Sequence, residues 1–155
     1  MTERENQQFI FGSIFLLSNK LQQLGDKVTG EITLKQWFLL NLLKTANKVS
    51  PNIHEIANMI GTSRQNISKM ISSLEKKGMV KMVPSEKDHR AVYVSLTQKC
   101  LDYFASRENA GNKLLDTIFQ GIPSVESERT ARLLGNMLHN IEPAIRHGEG
   151  SGIDE

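Results

Sequence analysis

The chain has 155 residues, of which 39% are hydrophobic and 23% charged, and its formal net charge is only +2. This composition is sufficient for a modest core, and the length suits one domain or two small intertwined modules. Because the net charge is so small, the whole-chain charge identifies no partner, and the distribution of charge along the chain is more informative.

The single cysteine, Cys100, excludes an intrachain disulfide, which fits a reducing compartment. The N-terminus has no basic stretch leading into an apolar run, so we expect no signal peptide. The apolar run at residues 9–17 is far shorter than the roughly 20 residues that a membrane span needs. We therefore expect a cytoplasmic protein that does not bind a membrane.

The first predicted element is a helix over residues 5–25 that is apolar on more than one side, followed by a break at residues 25–30. Such a helix must be covered from several directions. It is either the central core helix of one subunit or an element covered by a second subunit. The expectation that large exposed apolar patches mark interfaces favours the second subunit.

Three capped helices are predicted next. The first begins before "LKQWFLLNLL" and ends ahead of a loop at residues 48–53, the second covers residues 53–60, and the third covers about 64–77. Glycines follow the second and third helices, as is common at helix ends. The capping residues are Thr33 with Gln36, Asn52 with Glu55, and Thr62 or Ser63.

Two β-prone stretches, residues 79–83 and 91–96, follow with a charged tip between them. Thr97 is predicted to cap a long helix that ends near residue 119, and a last helix begins at residues 123–124. The final residues, 148–155, are rich in glycine and acid and are expected to be disordered.

The second and third capped helices form a candidate helix-turn-helix, and the third has two different faces. Its inward face is apolar and consists of Ile67, Met70, Ile71 and Leu74. Its outward face consists of Arg64, Gln65, Asn66, Ser68, Lys69 and Ser72, next to Thr62 and Ser63 at the helix start. None of these residues is acidic, and Glu75 follows only at the far end, where the helix would leave the groove. Slim side chains that donate hydrogen bonds are what a helix in the DNA major groove requires.

Positive charge is concentrated around this helix. Residues 61–90 contain seven Lys or Arg and three acidic residues, a balance of +4 against +2 for the whole chain. Phosphate binding requires such a local excess of cations. The sequence therefore predicts a surface for double-stranded DNA in this segment.

A hairpin directly after such a helix is predicted to be a wing, and its tip consists of Lys87, Asp88, His89 and Arg90. We expect Arg90 to enter the neighbouring minor groove, where the negative potential attracts an arginine. Asp88 is expected to hold the Arg90 side chain by a charge-assisted hydrogen bond. The alternative is a solvated turn with a surface ion pair of little value.

The segments "IHEIANMIGTSRQNISKMISSLEKKGMV" (53–80) and "DHRAVYVSLT" (88–97) resemble the winged helix-turn-helix of the MarR family (multiple antibiotic resistance regulators). The resemblance covers about residues 5–146. It implies a mainly α fold with a small β-wing, in which a DNA-binding domain at 32–97 is flanked by dimerisation helices within 1–31 and 98–147. It also implies a homodimer on a palindromic operator, where repression is released by a small ligand or by thiol oxidation.

In this resemblance, the outward residues of the third helix lie where such proteins contact the major groove, and Asp88 and Arg90 lie where the wing contacts occur. Cys100 stands where a glycine is common, so a role as an oxidant sensor and a role as a buried structural thiol both stay open. A small aromatic or other lipophilic effector is a possible partner. Four aromatic residues either line its pocket or belong to the core: Phe15, Trp37, Phe38 and Tyr103.

No catalytic constellation is found in the sequence. "HEIAN" at residues 54–58 begins like a zinc-protease motif but has Asn58 where the second histidine would be. We therefore expect no enzyme activity, no metal site and no cofactor. The predicted function is a homodimeric, sequence-specific transcriptional repressor. The alternatives are a nonspecific DNA-architectural protein and a winged-helix module that binds other proteins.

Overall fold

The computed structural model describes residues 1–46, 50–84 and 92–147, and the chain divides into two compact units, Met1–Leu114 and Leu115–Glu155. The described elements are six helices and two strands, which confirms the predicted mainly α class with a small β-wing. In chain order they are α1 (Glu3–Thr29), α2 (Leu34–Thr45), α3 (Ile53–Ile60), α4 (Arg64–Lys76), β1 (Val80–Pro84), β2 (Val92–Leu96), α5 (Gln98–Ile118) and α6 (Ser124–His147).

The predicted helix caps are confirmed. The Thr33 hydroxyl accepts a hydrogen bond from the Gln36 amide, and the Gln36 side chain accepts one from the Thr33 amide in return. Asn52 makes the same reciprocal pair at the start of α3. Of the two residues proposed for α4, Ser63 is the cap, since its Oγ accepts the Asn66 amide at 3.2 Å.

The prediction for the end of the first helix is wrong. The helix continues through residue 25 to Thr29, and Gly30, at φ 72°, ends it. Gly25 is buried inside the helix, where a Cβ atom would lie 2.6 Å from the Leu34 side chain. The glycine at this position therefore allows α1 and α2 to approach each other, and it does not break the helix.

The core of the first unit is formed by α2, α3, α4, both strands and the start of α5. It consists of Ile32, Leu39, Leu40, Ile56, Ala57, Ile67, Ile71, Leu74, Met79, Val80, Val94, Cys100 and Tyr103. Three of the four residues predicted to face inward from α4 are in this core, and Met70 packs against it. Burial of this face fixes which side of α4 is presented to solvent.

The two strands pair in antiparallel register, from Val80 opposite Leu96 to Pro84 opposite Val92. They begin and end within one residue of the predicted bounds, and residue 91 lies outside the described residues. The Val94 amide donates a hydrogen bond to the Pro51 carbonyl at 3.0 Å, which attaches β2 to the segment preceding α3. The base of the hairpin is thereby tied to the same core as α4.

Most of the large apolar side chains that are exposed among the described residues lie on two helices. On α1 these are Phe9, Phe11, Ile14, Phe15, Leu16, Leu17 and Leu24. On α6 of the second unit they are Val125, Leu133, Leu134, Leu138, Ile141 and Ile145. Among the described helices, none is both long and apolar enough to cross a membrane. The predicted tail, residues 148–155, lies outside the described part of the chain.

Candidate nucleic-acid interface

The outward face of α4 presents the polar residues that the sequence singled out. Arg64, Gln65, Asn66, Ser68 and Lys69 are all exposed. The first turn of the helix contains no acidic residue. The positive end of the helix dipole therefore adds to the basic side chains, and this end of α4 is suited to anionic groups such as phosphates.

Hydrogen bonds within the helix orient two of these side chains. The Asn66 Nδ2 group donates to the Thr62 hydroxyl at 3.2 Å. The Ser68 hydroxyl donates to the Arg64 carbonyl at 2.9 Å. Because the NH₂ group of Asn66 is held in this way, the orientation of its side-chain carbonyl oxygen is fixed. The Ser68 hydroxyl donates its hydrogen and can still accept a hydrogen bond. Thr62 itself is partly buried, so the structure assigns it a supporting position and leaves Asn66 at the surface.

A tight turn between α3 and α4 sets the direction of α4. Gly61 adopts the left-handed conformation, with φ 73° and ψ 43°, and its amide donates to the Ala57 carbonyl. The Thr62 amide also donates to the Ala57 carbonyl, at 3.1 Å. A residue with a Cβ is strained in this conformation, so the glycine allows α4 to start after only three intervening residues.

The predicted wing tip, Lys87, Asp88, His89 and Arg90, lies outside the described residues. The described strands below it contribute Lys81, which is exposed on β1. The roles of the four tip residues therefore stay predictions, and that of Arg90 is addressed by mutation below.

A group of polar residues at the C-terminal end of α4 was missed by the sequence reasoning. The Lys77 ammonium donates to the Glu31 carbonyl at 2.7 Å and to Gln36 Oε1 at 3.3 Å. Gln36 Nε2 donates to the Ser73 hydroxyl at 3.1 Å, and Lys99 donates to the Lys77 carbonyl at 2.7 Å. These partners are up to 46 residues apart in sequence, and no local pattern signals such a network.

The four aromatic residues proposed for a ligand pocket fall into two groups. Trp37 and Tyr103 lie around Phe104, at centroid distances of 6.3 and 5.9 Å, and Phe104 was missed by the sequence reasoning. Phe15 is 61% exposed and Phe38 is 48% exposed. The structure thus brings Trp37 and Tyr103 together at the core and leaves the other two at the surface.

Tyr103 joins α5 to the end of α1. Its hydroxyl donates to the Thr29 carbonyl at 2.7 Å, and the Thr29 hydroxyl donates to the Ile32 carbonyl at 2.6 Å. Burial raises the pKa of Tyr103, and the nearby Arg107 guanidinium opposes this shift. Tyr103 therefore acts as a core residue with a satisfied hydroxyl.

Cys100 is fully buried in the first turn of α5, where its amide donates to the Thr97 hydroxyl. Burial raises the pKa of the Cys100 thiol to about 11, although the Lys44 ammonium lowers it in part. Oxidation and metal binding both require the thiolate, so this environment favours the structural role over the sensing role.

We expect Cys100 to be unreactive in the folded protein. Because burial raises the pKa of the Cys100 thiol from 9.0 to about 11, its thiolate fraction at neutral pH is roughly 100-fold smaller than that of an exposed cysteine. Mass spectrometry after mild peroxide treatment should find Cys100 still reduced, and alkylation should accelerate as the pH rises towards 11. Rapid oxidation at neutral pH with loss of DNA binding would contradict this and support the sensing role.

Within the described ranges, no group of three or more His, Cys, Asp or Glu side chains is arranged to hold a metal ion. His54, the histidine of the incomplete zinc motif, has its Nε2 3.4 Å from the Asn58 amide nitrogen.

Residues 32–92 match the family model described as the MarR family. This segment, about two fifths of the chain, has the sequence pattern of the MarR family. The match covers the helix-turn-helix, β1 and the start of β2, and thus most of the two segments that carry the resemblance found in the sequence. That resemblance is therefore confirmed.

Solved structures of MarR-family proteins share the fold. The S. aureus MepR–DNA complex is 19% identical, has a TM-score of 0.72 and covers 90% of this chain and 98% of its own. A mutant of E. coli MarR in complex with operator DNA is 20% identical, has a TM-score of 0.74 and covers 88% of this chain and 99% of its own. The organohalide-sensing regulator RdhR, bound to 2,4-dichlorophenol, is 17% identical, has a TM-score of 0.76 and covers 95% of this chain and 89% of its own.

Proposed function

We propose that this MarR-family protein is a homodimeric transcriptional regulator that represses a palindromic DNA operator. The observation that carries the proposal is the exposed face of α4 over residues 64–72, which contains no acidic residue and which the helix-turn-helix presents to solvent beside a wing. Such a face suits the major groove, where side-chain donors meet base edges and phosphates. The DNA complexes of MepR and of E. coli MarR support the same use of the fold here.

The exposed apolar residues of α1 and α6 support the homodimer. Monomeric proteins rarely leave contiguous apolar surface of this kind uncovered. A two-fold dimer would cover both helices and present two copies of α4, one for each half of a palindrome. Of the two interpretations of the first helix, the exposure favours cover by a second subunit. A central core helix would not leave Phe9, Phe15 and Leu16 more than 60% exposed.

The wing is assigned to the minor groove through Arg90. Replacing Arg90 by alanine is expected to weaken operator binding by more than about 1 kcal/mol, because a specific contact in a groove is lost. Fluorescence anisotropy with an operator duplex measures this, and Lys35→Ala, which removes an exposed cation from α2, is the charge-matched control. Equal affinities of the Arg90 variant and the wild type would reject the assignment.

Lys69 is exposed in the middle of α4 and is assigned to a phosphate. Replacing Lys69 by alanine is expected to weaken binding to all sequences alike and to lower the slope of log K against log salt by about 1. Titrations at four or more salt concentrations give the slope. A slope equal to that of the wild type would exclude the phosphate contact.

A small aromatic effector is the proposed signal that releases the operator. The 2,4-dichlorophenol complex of RdhR shows an aromatic ligand on this fold, and the cluster around Phe104 offers aromatic surface in the present chain. The effector must bind the DNA-incompetent arrangement more tightly than the competent one, since a ligand with equal affinity for both shifts nothing.

DNA binding as such is tested with a labelled duplex of random sequence. We expect affinity that falls steeply between about 50 and about 200 mM salt, as counterion release requires. Strong binding without any preference among sequences would favour the architectural alternative. No binding at low salt would favour a module that binds other proteins.

A further inference from the structure

The C-terminal end of α4 is held by a polar network, called here the clamp, that consists of Glu31, Gln36, Ser73, Lys77 and Lys99. Its central residue is Gln36, which is only 7% exposed. Gln36 Oε1 accepts from the Thr33 amide at 3.1 Å and from the Lys77 ammonium at 3.3 Å, while Nε2 donates to Ser73. A buried amide with both ends hydrogen-bonded has one orientation, so Gln36 connects the start of α2 rigidly to α4.

Lys77 makes the second connection. It directly follows α4, is partly buried, and donates to the backbone carbonyl of Glu31 at 2.7 Å. Lys99, in the first turn of α5, donates to the Lys77 carbonyl at 2.7 Å and lies 3.4 Å from the Glu31 carboxylate. The clamp thus ties the end of α4 to the segment that leaves α1 and to the beginning of α5.

The rest of α4 is held mainly by apolar contacts of Ile67, Ile71 and Leu74. Apolar burial is not directional, so it opposes removal of the helix more strongly than a small roll about the helix axis. The outer radius of a helix is about 5–6 Å, so a roll of about 20° moves an outward side chain by about 2 Å. A displacement of this size breaks a hydrogen bond to a base edge, whereas a salt-bridged phosphate contact tolerates it better.

We propose that Gln36 and Lys77 are positioning residues that fix the roll of α4, so that its exposed face meets base edges in one orientation. The inference rests on the proposed function and adds a source of sequence discrimination that lies away from the DNA. Since Gln36 is buried and the Lys77 ammonium already has two acceptors, both residues act through the orientation of α4 and not by touching the operator.

The test compares Lys77→Met and Gln36→Met with the wild type, using the operator recovered by selection and a scrambled duplex of equal length at one salt concentration. We expect each variant to lower the ratio of operator affinity to scrambled affinity about tenfold or more, because the contacts to base edges are disturbed. Lys77→Arg, which keeps the donors, should restore most of the ratio. Lys76→Met removes an exposed charge from the neighbouring position and should leave the ratio within about twofold.

Circular dichroism and thermal unfolding establish that the variants fold. If Gln36→Met is too unstable to measure, the pair of Lys77 variants decides the question alone. The proposal is overturned if the folded Lys77→Met protein keeps the wild-type ratio. It is also overturned if the affinity of this variant falls by the same factor for both duplexes and the slope of log K against log salt is reduced. That result would make Lys77 a direct phosphate contact. A wild-type protein with no preference for any duplex would instead overturn the proposed function, on which the clamp proposal depends.

Discussion

Replacing Leu138 by glutamate is expected to yield a monomer that binds the operator at least about 100-fold more weakly. Leu138 lies on α6 and is 67% exposed on the single chain. Covering such a side chain in a dimer stabilises the dimer by about 1.5–3 kcal/mol per copy, and a buried unpaired carboxylate costs more than that gain. A two-fold interface contains the change twice. The monomer offers one α4 to the operator and loses the avidity of two linked sites, which is worth about 10²–10⁴.

Light scattering after size-exclusion chromatography measures the mass, and fluorescence anisotropy measures operator binding. Asn140→Glu is the matched control, because it introduces the same charge at an exposed polar position two residues along the same helix. We expect that variant to remain dimeric and to bind within about threefold of the wild type, since surface changes away from contacts have small effects. A dimeric Leu138→Glu protein, or monomers from both variants, would contradict the assignment of this face.

Replacing Leu74 by alanine is expected to lower the free energy of unfolding by about 2–5 kcal/mol. Leu74 lies in the last turn of α4 and is fully buried. Its truncation removes apolar burial and leaves a cavity among rigidly packed neighbours. Because small proteins are stable by only about 5–15 kcal/mol, a large part of the total stability would be lost.

Urea unfolding followed by circular dichroism measures this change. Ser72→Ala, at an exposed position on the same helix, should change the stability by less than about 0.5 kcal/mol. A loss below about 1 kcal/mol for Leu74→Ala would mean that α4 is held chiefly by its polar contacts, and the packing account of this helix would have to be abandoned.

The starts of α2, α3 and α4 could be predicted from the sequence because the determinants of a cap lie within four residues, whereas the cap of α1 by Thr2 and Glu5 was missed. Thr33 with Gln36 and Asn52 with Glu55 form the predicted reciprocal pairs. The inward face of α4 was equally accessible, since it follows from helical periodicity. The polar outward face could then be predicted as well, because it consists of the remaining positions of the same helix.

The features that could not be predicted depend on contacts between distant parts of the chain. Gly25 looked like a helix breaker, but it is where Leu34 packs against α1. The clamp joins Glu31 to Lys77 and Lys99, and in the sequence Lys77 was only one of the positive charges counted in residues 61–90. The second role of Gln36 was hidden because its capping role already explained the residue.

The central claim is that two copies of α4 read a palindrome. The most direct measurement is an in vitro selection of the full-length protein on random duplex DNA at near-physiological salt. We predict enrichment of a palindrome with half-sites about one helical turn apart, bound by a dimer. Recovery of bound DNA without any common sequence would contradict the claim and identify a protein that binds DNA irrespective of sequence.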